Sequence, residues 1–219
     1  MSEKKQAAET LKGIRGLASD AGEVRLMELC GTHTQVIAKS GLRSLLPESI
    51  DLIAGPGCPV CITPAGIIQK AKKLLELGYC VCTFGDMADV RESGKSLRET
   101  PKKEGRVRIV YSITDSISYA RQNPGVDVAH LAVGFETTAV STACILDEAP
   151  ENFKLLNAHR YFPPAIKALE SNKDSRIDGY ISPGHVATII GEKPFKKLSA
   201  SNGLRQVIAG FTPLQVLKA

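Results

Sequence analysis

Five times along this chain a short apolar run stops in a turn that contains Gly or Pro and carries a thiol, a carboxylate or an imidazole. A helical pattern follows each time. The runs are Val24–Leu29, Ile50–Ala54, Tyr79–Phe84, Val126–Gly134 and Ile177–Ile181, and their turns carry Cys30, Cys58, Asp86, Glu136 and His185. Strand alternating with helix predicts parallel sheets with helices on both faces. Ligands in such folds bind outside the carboxyl ends of the strands, so the five turns are expected on one rim, as one site.

The fold expected is α/β: two Rossmann-like α/β units, with parallel sheets flanked by helices and the motif turns at the strand carboxyl ends. The stretch 91–105, punctuated by Gly94, Pro101 and Gly105, reads as a long loop between the units. That places a first domain at 1–105 with the Cys30 and Cys58/Cys61 turns, and a second at 106–219 with the Glu136 and His185 turns. No internal repeat is strong enough to claim, although βα units on each side of the loop suggest similar halves. Residues 4–18 predict an amphipathic helix with Ala7, Leu11, Ile14 and Leu17 on one side. Thr63 suits an N-cap with Pro64 as the first helical residue. Gln206–Phe211 reads as the last strand, before a helix from Pro213.

Composition matters mainly for what it excludes. Six cysteines in a chain without a secretory-type N-terminus argue for metal or redox use over a disulfide framework. The expected location is the cytoplasm, and no apolar stretch approaches the roughly 18–20 residues of a membrane span. The net charge of +5 is concentrated locally: Arg91, Lys95, Arg98, Lys102, Lys103, Arg106 and Arg108 face Glu92, Glu99 and Glu104. This segment reads as a solvated connector or a dock for an acidic partner. No aromatic residues interleave with its charges, so nucleic acid is not expected.

Cys58-Pro-Val-Cys61 lies just before a predicted helix, where the dipole favours a thiolate and the spacing permits a disulfide. It reads as a redox-active or metal-binding pair, against the alternative of two buried thiols. Cys30-Gly-Thr-His33 offers a thiolate and an imidazole, a donor set that suits iron, copper or zinc. Cys80 and Cys82 share one face of a strand. With Cys58 and Cys61 they approximate zinc-ribbon spacing, although Tyr79–Phe84 reads as a core strand. Cys144, in an apolar helix, reads as core filler. Glu136 is a functional acid or partner contact, with Thr137 or Thr138 available to cap the helix. His185 can move a proton or orient a ligand near neutral pH, or make only a local cap contact. His130 and His159 read as structural.

Taken together, Cys30-Gly-Thr-His33, Gly55-Pro-Gly-Cys-Pro-Val-Cys-Ile-Thr-Pro64, Thr83-Phe-Gly-Asp-Met87, Gly134-Phe-Glu-Thr-Thr138 and Pro183-Gly-His-Val186 resemble the HypD family of hydrogenase maturation proteins. The resemblance runs from about residue 24 onward. It implies a metallocofactor assembly scaffold for the Fe(CN)2CO unit of nickel–iron hydrogenases. It further implies that iron is held by Cys30 and by a cysteine of a HypC-like small chaperone; His33, from its donor chemistry beside Cys30, is the other candidate metal ligand. Cyanide would come from a HypE-like donor that receives its carbamoyl group from HypF. Cys58 and Cys61 would be the redox-active dithiol, and Glu136 and His185 would position or protonate groups around the iron.

The chain departs from the family pattern at Gln35, where a second histidine is usual, and at Ala187, where a serine is usual. Family members also carry a cysteine-rich segment holding a four-iron four-sulfur cluster, whose ligands are absent here. A shortened, partly active scaffold is therefore expected. Two alternatives remain open at this stage: a thiol–disulfide oxidoreductase using Cys58-Pro-Val-Cys61, and an inactive or zinc-binding remnant.

Overall fold

The computed structural model describes residues 2–100, 105–171 and 176–219, with the backbone alone at 201–202. The elements are α1 (Glu3–Ala21), β1 (Val24–Glu28), α2 (Gly31–Ser40), α3 (Leu42–Leu45), β2 (Ile50–Ala54), α4 (Ala65–Glu76), β3 (Cys80–Thr83), α5 (Gly85–Asp89), β4 (Arg106–Ile109) and α6 (Ile113–Gln122). There follow β5 (Val128–Ala132), α7 (Glu136–Ile145), β6 (Phe153–Asn157), α8 (Phe162–Glu170), β7 (Gly179–Pro183), α9 (Gly184–Ile190), α10 (Lys193–Asn202), β8 (Gln206–Ala209) and α11 (Pro213–Lys218).

The strands form two four-stranded parallel sheets, ordered β2-β1-β7-β8 and β4-β3-β5-β6. The α/β class with helix-flanked parallel sheets is therefore as expected. The domain boundary is not. One unit comprises residues through 58 together with those from 162, and the other comprises 59–161. A division at 105 fails because β3 and β4, on either side of the basic stretch, are paired neighbours with Cys80 opposite Arg106. That stretch is a crossover within the second sheet. Counted within its own unit, each sheet has the order second-first-third-fourth, so the similarity of two parts is real but one part is inserted in the other.

Alternation along β3 explains how the second unit covers both faces of its sheet. Val81 joins a core with Ile68, Ala71, Leu75, Leu97, Ala129 and Leu131, whereas Cys80 and Cys82 join Val110, Ile113, Ile117 and Val128. Helix α4 covers the first face and α6 the second. In the first unit Ile37, Leu42, Leu52, Ile181, Ala209, Val216 and Leu217 form the core, with Ala7, Leu11 and Ile14 of α1 packed against it. Leu17 departs from the expected stripe: it is 76% exposed, and Ala18 is buried in its place.

The basic stretch is not the solvated connector expected. Leu97 is fully buried in the core, and Glu92 and Lys95 form an antiparallel bridge. Arg91 pairs with Glu99, Arg98 with Asp89, and Glu92 with Lys72 from α4. Several charges thus find local partners. Lys102, Lys103 and Glu104 lie outside the described residues.

Candidate functional site

The motif turns do lie at strand carboxyl ends, but on two rims. Cys30, Cys58 and His185 follow β1, β2 and β7 of the first unit, whereas Asp86 and Glu136 follow β3 and β5 of the second. In each sheet the strand order reverses between the first and third strands, which is where an open α/β sheet forms its ligand crevice. In the first unit that point lies between β1 and β7, hence between Cys30 and His185.

Backbone hydrogen bonds bring these turns into contact. The Leu29 N–H donates to the Ile181 carbonyl at 3.0 Å, and the Gly55 N–H to the Glu28 carbonyl at 2.8 Å. A side chain at Gly57 would place its Cβ 2.4–2.5 Å from the backbone of Leu29 and Cys30. Glycine is required there because the Cys58 turn lies directly on the Cys30 turn. At Gly184 a Cβ would come within 2.8 Å of the Ala209 carbonyl oxygen, so the His185 turn packs against the end of β8.

Cys30 is the N-cap of α2, in extended conformation, and His33 occupies the third helical position. N-cap and third-position side chains face each other over the first helical turn. Their spacing therefore places Cys30 and His33 on the same first turn of α2, the end of a helix that favours negative charge. His33 is fully buried, and its Nε2 lies 3.0 Å from the Gly210 carbonyl oxygen. A carbonyl only accepts, so Nε2 carries the proton. Nδ1 is left with a bare lone pair, buried and without a hydrogen-bond partner. Burial also lowers the His33 pKa, which favours the neutral ring. Its Nδ1 is thus an available ligand atom.

Sequence reasoning missed Glu28. Its carboxylate is fully buried at the end of β1, accepts the Cys30 N–H at 3.0 Å, and accepts the Thr34 hydroxyl. Burial raises its pKa, against the lowering effects of Thr34, the Cys30 N–H and Arg43. The residue fixes the entry into α2 from below. A carboxylate closing an apolar strand two positions before a cysteine was the available signal.

The turn after β8 was also missed, because the expected strand Gln206–Phe211 absorbed it. The strand ends at Ala209, and Gly210-Phe-Thr212 turns into α11. The Phe211 ring stacks on His33 with centroids 4.7 Å apart and meets His185 at 5.0 Å. His185 is half-buried, and its pKa is lowered by burial and by the neighbouring His33.

The second rim is different. Asp86 makes a local bond to the Met87 N–H at 2.8 Å, in a short helix where a turn was expected. Glu136 is buried at the first position of α7, whose N-cap is Phe135. Neither Thr137 nor Thr138 is that cap. Thr138 instead packs over Gly134, where an added Cβ would meet its side chain at 2.5 Å. Glu136 therefore belongs with Asp86, not with His185 as the expected second domain had it.

Cys58 closes the first unit, half-buried, and Cys61 is exposed in the turn that opens the second. Helix α4 starts at Ala65, later than expected: Pro64 is its N-cap, and the Thr63 hydroxyl bonds back to the Pro59 carbonyl at 2.8 Å. The zinc-ribbon arrangement does not form. Cys80 and Cys82 are fully buried core residues, and among the described residues no group of three or more His, Cys, Asp or Glu side chains converges on a metal position. Cys144, expected as core filler, is exposed. Helix α7 intersperses Thr and Ser with Ala, Val and Ile and has no single apolar stripe; it buries Thr142 and leaves Val140 44% exposed. His130 is structural as expected, fully buried with Nδ1 2.8 Å from the Ser116 hydroxyl. His159 bonds the Asn157 side chain at 2.9 Å. No helix among the described residues is long and apolar enough to cross a membrane.

Fold and rim define a class: parallel α/β proteins that present a cysteine and an imidazole with a bare nitrogen at one strand-to-helix turn. Within that class the comparison is specific. Residues 5–219 match the HypD family, described as "Hydrogenase formation hypA family", and the chain belongs to that family. It is 40% identical to hydrogenase maturation factor HypD of Cupriavidus necator, over 94% of this chain and 58% of that protein. It is 39% identical to HypD2 of Bradyrhizobium diazoefficiens, over 99% of this chain and 60% of that protein. For HypD of Escherichia coli the identity is 38%, over 89% and 54%. The chain thus spans between half and three fifths of the length of these relatives.

Proposed function

We propose that this chain acts in hydrogenase maturation as a cytoplasmic scaffold that holds iron while the Fe(CN)2CO unit is assembled on it. The observation that carries the reading is the His33 Nδ1 lone pair, bare and buried, on the helical turn capped by Cys30. Iron is the cargo. Cys30 supplies thiolate sulfur and His33 imidazole nitrogen, a donor set suited to iron. These are fewer ligands than iron takes, so the remainder come from outside: a cysteine of a HypC-like chaperone, and cyanide from a HypE-like donor. Cys58 and Cys61 serve as the dithiol that exchanges electrons, Cys61 being its exposed member. His185 moves or holds a proton on the rim of the first unit, and Glu136 is the functional acid on the rim of the second.

The test is an infrared spectrum of the chain purified without oxygen from cells that also make HypC, HypE and HypF. A cyanide stretch that disappears in Cys30→Ala is the expected result. Absence of that band, where a full-length relative gives one, overturns the reading for this chain. Catalytic reduction of a model disulfide, with Cys58 essential and Cys30 dispensable, would establish the oxidoreductase instead.

A further inference from the structure

We propose that the Gly210-Phe-Thr212 turn is a third wall of the Cys30 site, and that Phe211 is its positioning residue, holding His33 and His185 on one aromatic platform with His33 Nδ1 free. The inference rests on the iron-holding reading above. No motif that marks the family resemblance includes this turn.

An imidazole on the first turn of a helix has two freedoms that affect its use as a ligand. The ring can rotate about its last side-chain bond, and the proton can sit on either nitrogen. The turn after β8 restrains both. Its Gly210 carbonyl receives the Nε2 proton at 3.0 Å, which selects the tautomer. Its Phe211 ring lies against the imidazole at 4.7 Å with the planes 28° apart, which opposes rotation. A metal-ligating histidine is oriented by the bond its other nitrogen makes, and a backbone carbonyl is a common partner.

The turn is itself held firmly. Thr212 and Gln215 form a reciprocal capping box, with bonds of 3.1 and 3.2 Å, and Pro213 fixes the first helical position. A Cβ at Gly210 would come within 2.3 Å of the Gln215 side-chain oxygen, so glutamine closes over the glycine. Phe211 is thereby fixed from its C-terminal side. His185 meets the same ring at 5.0 Å, with the planes 34° apart. One aromatic side chain thus sets the relation between the proposed ligand and the proposed proton carrier.

The experiment compares the full chain with Phe211→Leu and Phe211→Met, which remove the ring, and Phe211→Tyr, which keeps it. Nitrogen-15 spectra of the imidazoles in the reduced, metal-free chain report the His33 tautomer. Anaerobic competition with a chromogenic chelator reports ferrous ion affinity, and thermal melting confirms that each variant is folded. The expected result is a single Nε2–H tautomer in the parent and in Phe211→Tyr. In Phe211→Leu and Phe211→Met the tautomers mix, and affinity falls by about tenfold, as for other residues that orient a ligand. A folded Phe211→Leu or Phe211→Met with the parent tautomer and affinity overturns the proposal. If the parent itself fails to hold ferrous ion while the tautomers still mix in the ring-less variants, the iron-holding reading falls and the positioning role stands.

Discussion

The two units share a strand order and differ in what they do with a buried histidine. His33 and His130 are both fully buried, and each has one ring nitrogen bonded and the other without a partner. His33 lies at the carboxyl rim, on a turn that also carries Cys30 and is touched by Phe211. His130 is the middle residue of β5, set between Ser116 on α6 and the edge of Phe84. The same side chain is thus an available ligand in one unit and a core component in the other. Position along the strand decides which: past the carboxyl end, neighbouring turns and a helix start surround the ring, whereas mid-strand the neighbouring strands and a packed helix do. Burial with an open valence marks a site only where further chemistry converges on it.

If the Cys58 turn lies on Cys30, substitution at Gly57 should differ most from substitution at Gly85 in the second unit. Gly57→Ala drives a Cβ into the backbone of Cys30, whereas at Gly85, the first residue of α5, the nearest atom is an Ile109 methyl at 3.7 Å. We expect Gly57→Ala to cost about 3 kcal/mol or more, because backbone must shift, and Gly85→Ala to stay within about 0.5 kcal/mol. Urea unfolding measures both. Equal, small losses would mean that the Cys58 turn does not lie on Cys30.

The next contrast is in pH. Burial first, and His159 second, depress the His130 pKa from 6.5 to about 4, with Asp115 opposing. The folded state therefore resists a proton that the unfolded chain accepts. The stabilisation is complete above pH 6.5 and is lost as pH falls from 6.5 towards 4, amounting to about 3 kcal/mol in all. Unfolding midpoints at several pH values should show a steeper decline for the parent than for His130→Gln over this window. Parallel declines would remove His130 from the account and weaken the contrast with His33.

Much of this architecture was legible because strand period, turn residues and helix starts agreed along the chain. The class of fold and the rim placement of Cys30, Cys58 and His185 followed from that agreement. What was not legible was non-local. Nothing near 91–105 shows that β3 and β4 pair across it, so the connector was misread as a domain boundary. The return of the chain after residue 161 to complete the first sheet depends on contacts more than a hundred residues apart. Glu28 and Phe211 were missed for another reason. Each is ordinary in its own segment, and gains meaning only when Cys30, Thr34, His33 and His185 are brought beside it. Cys144 failed because a helix without an apolar stripe does not say which side is buried.

The smallest expected effect concerns Gln35, where the family usually has a second histidine. Residue 35 is exposed on α2, while His33, two positions before it, is fully buried. Residues two apart on a helix do not share a face. A histidine at 35 would therefore not join His33 in holding the same atom within this unit, and Gln35→His should leave stability unchanged within about 0.5 kcal/mol, as for most surface substitutions. It should likewise leave ferrous ion affinity of the isolated chain within about twofold, a margin below 0.5 kcal/mol. A larger gain in affinity would show that the site reaches out to the exposed side of α2, and that the buried pair at its start is only part of it. If the isolated chain is unaffected but capture of a HypC-like partner improves, residue 35 acts at a docking surface. The contrast between the two units would then extend to their outer faces, with the first unit's histidines divided between cargo and partner.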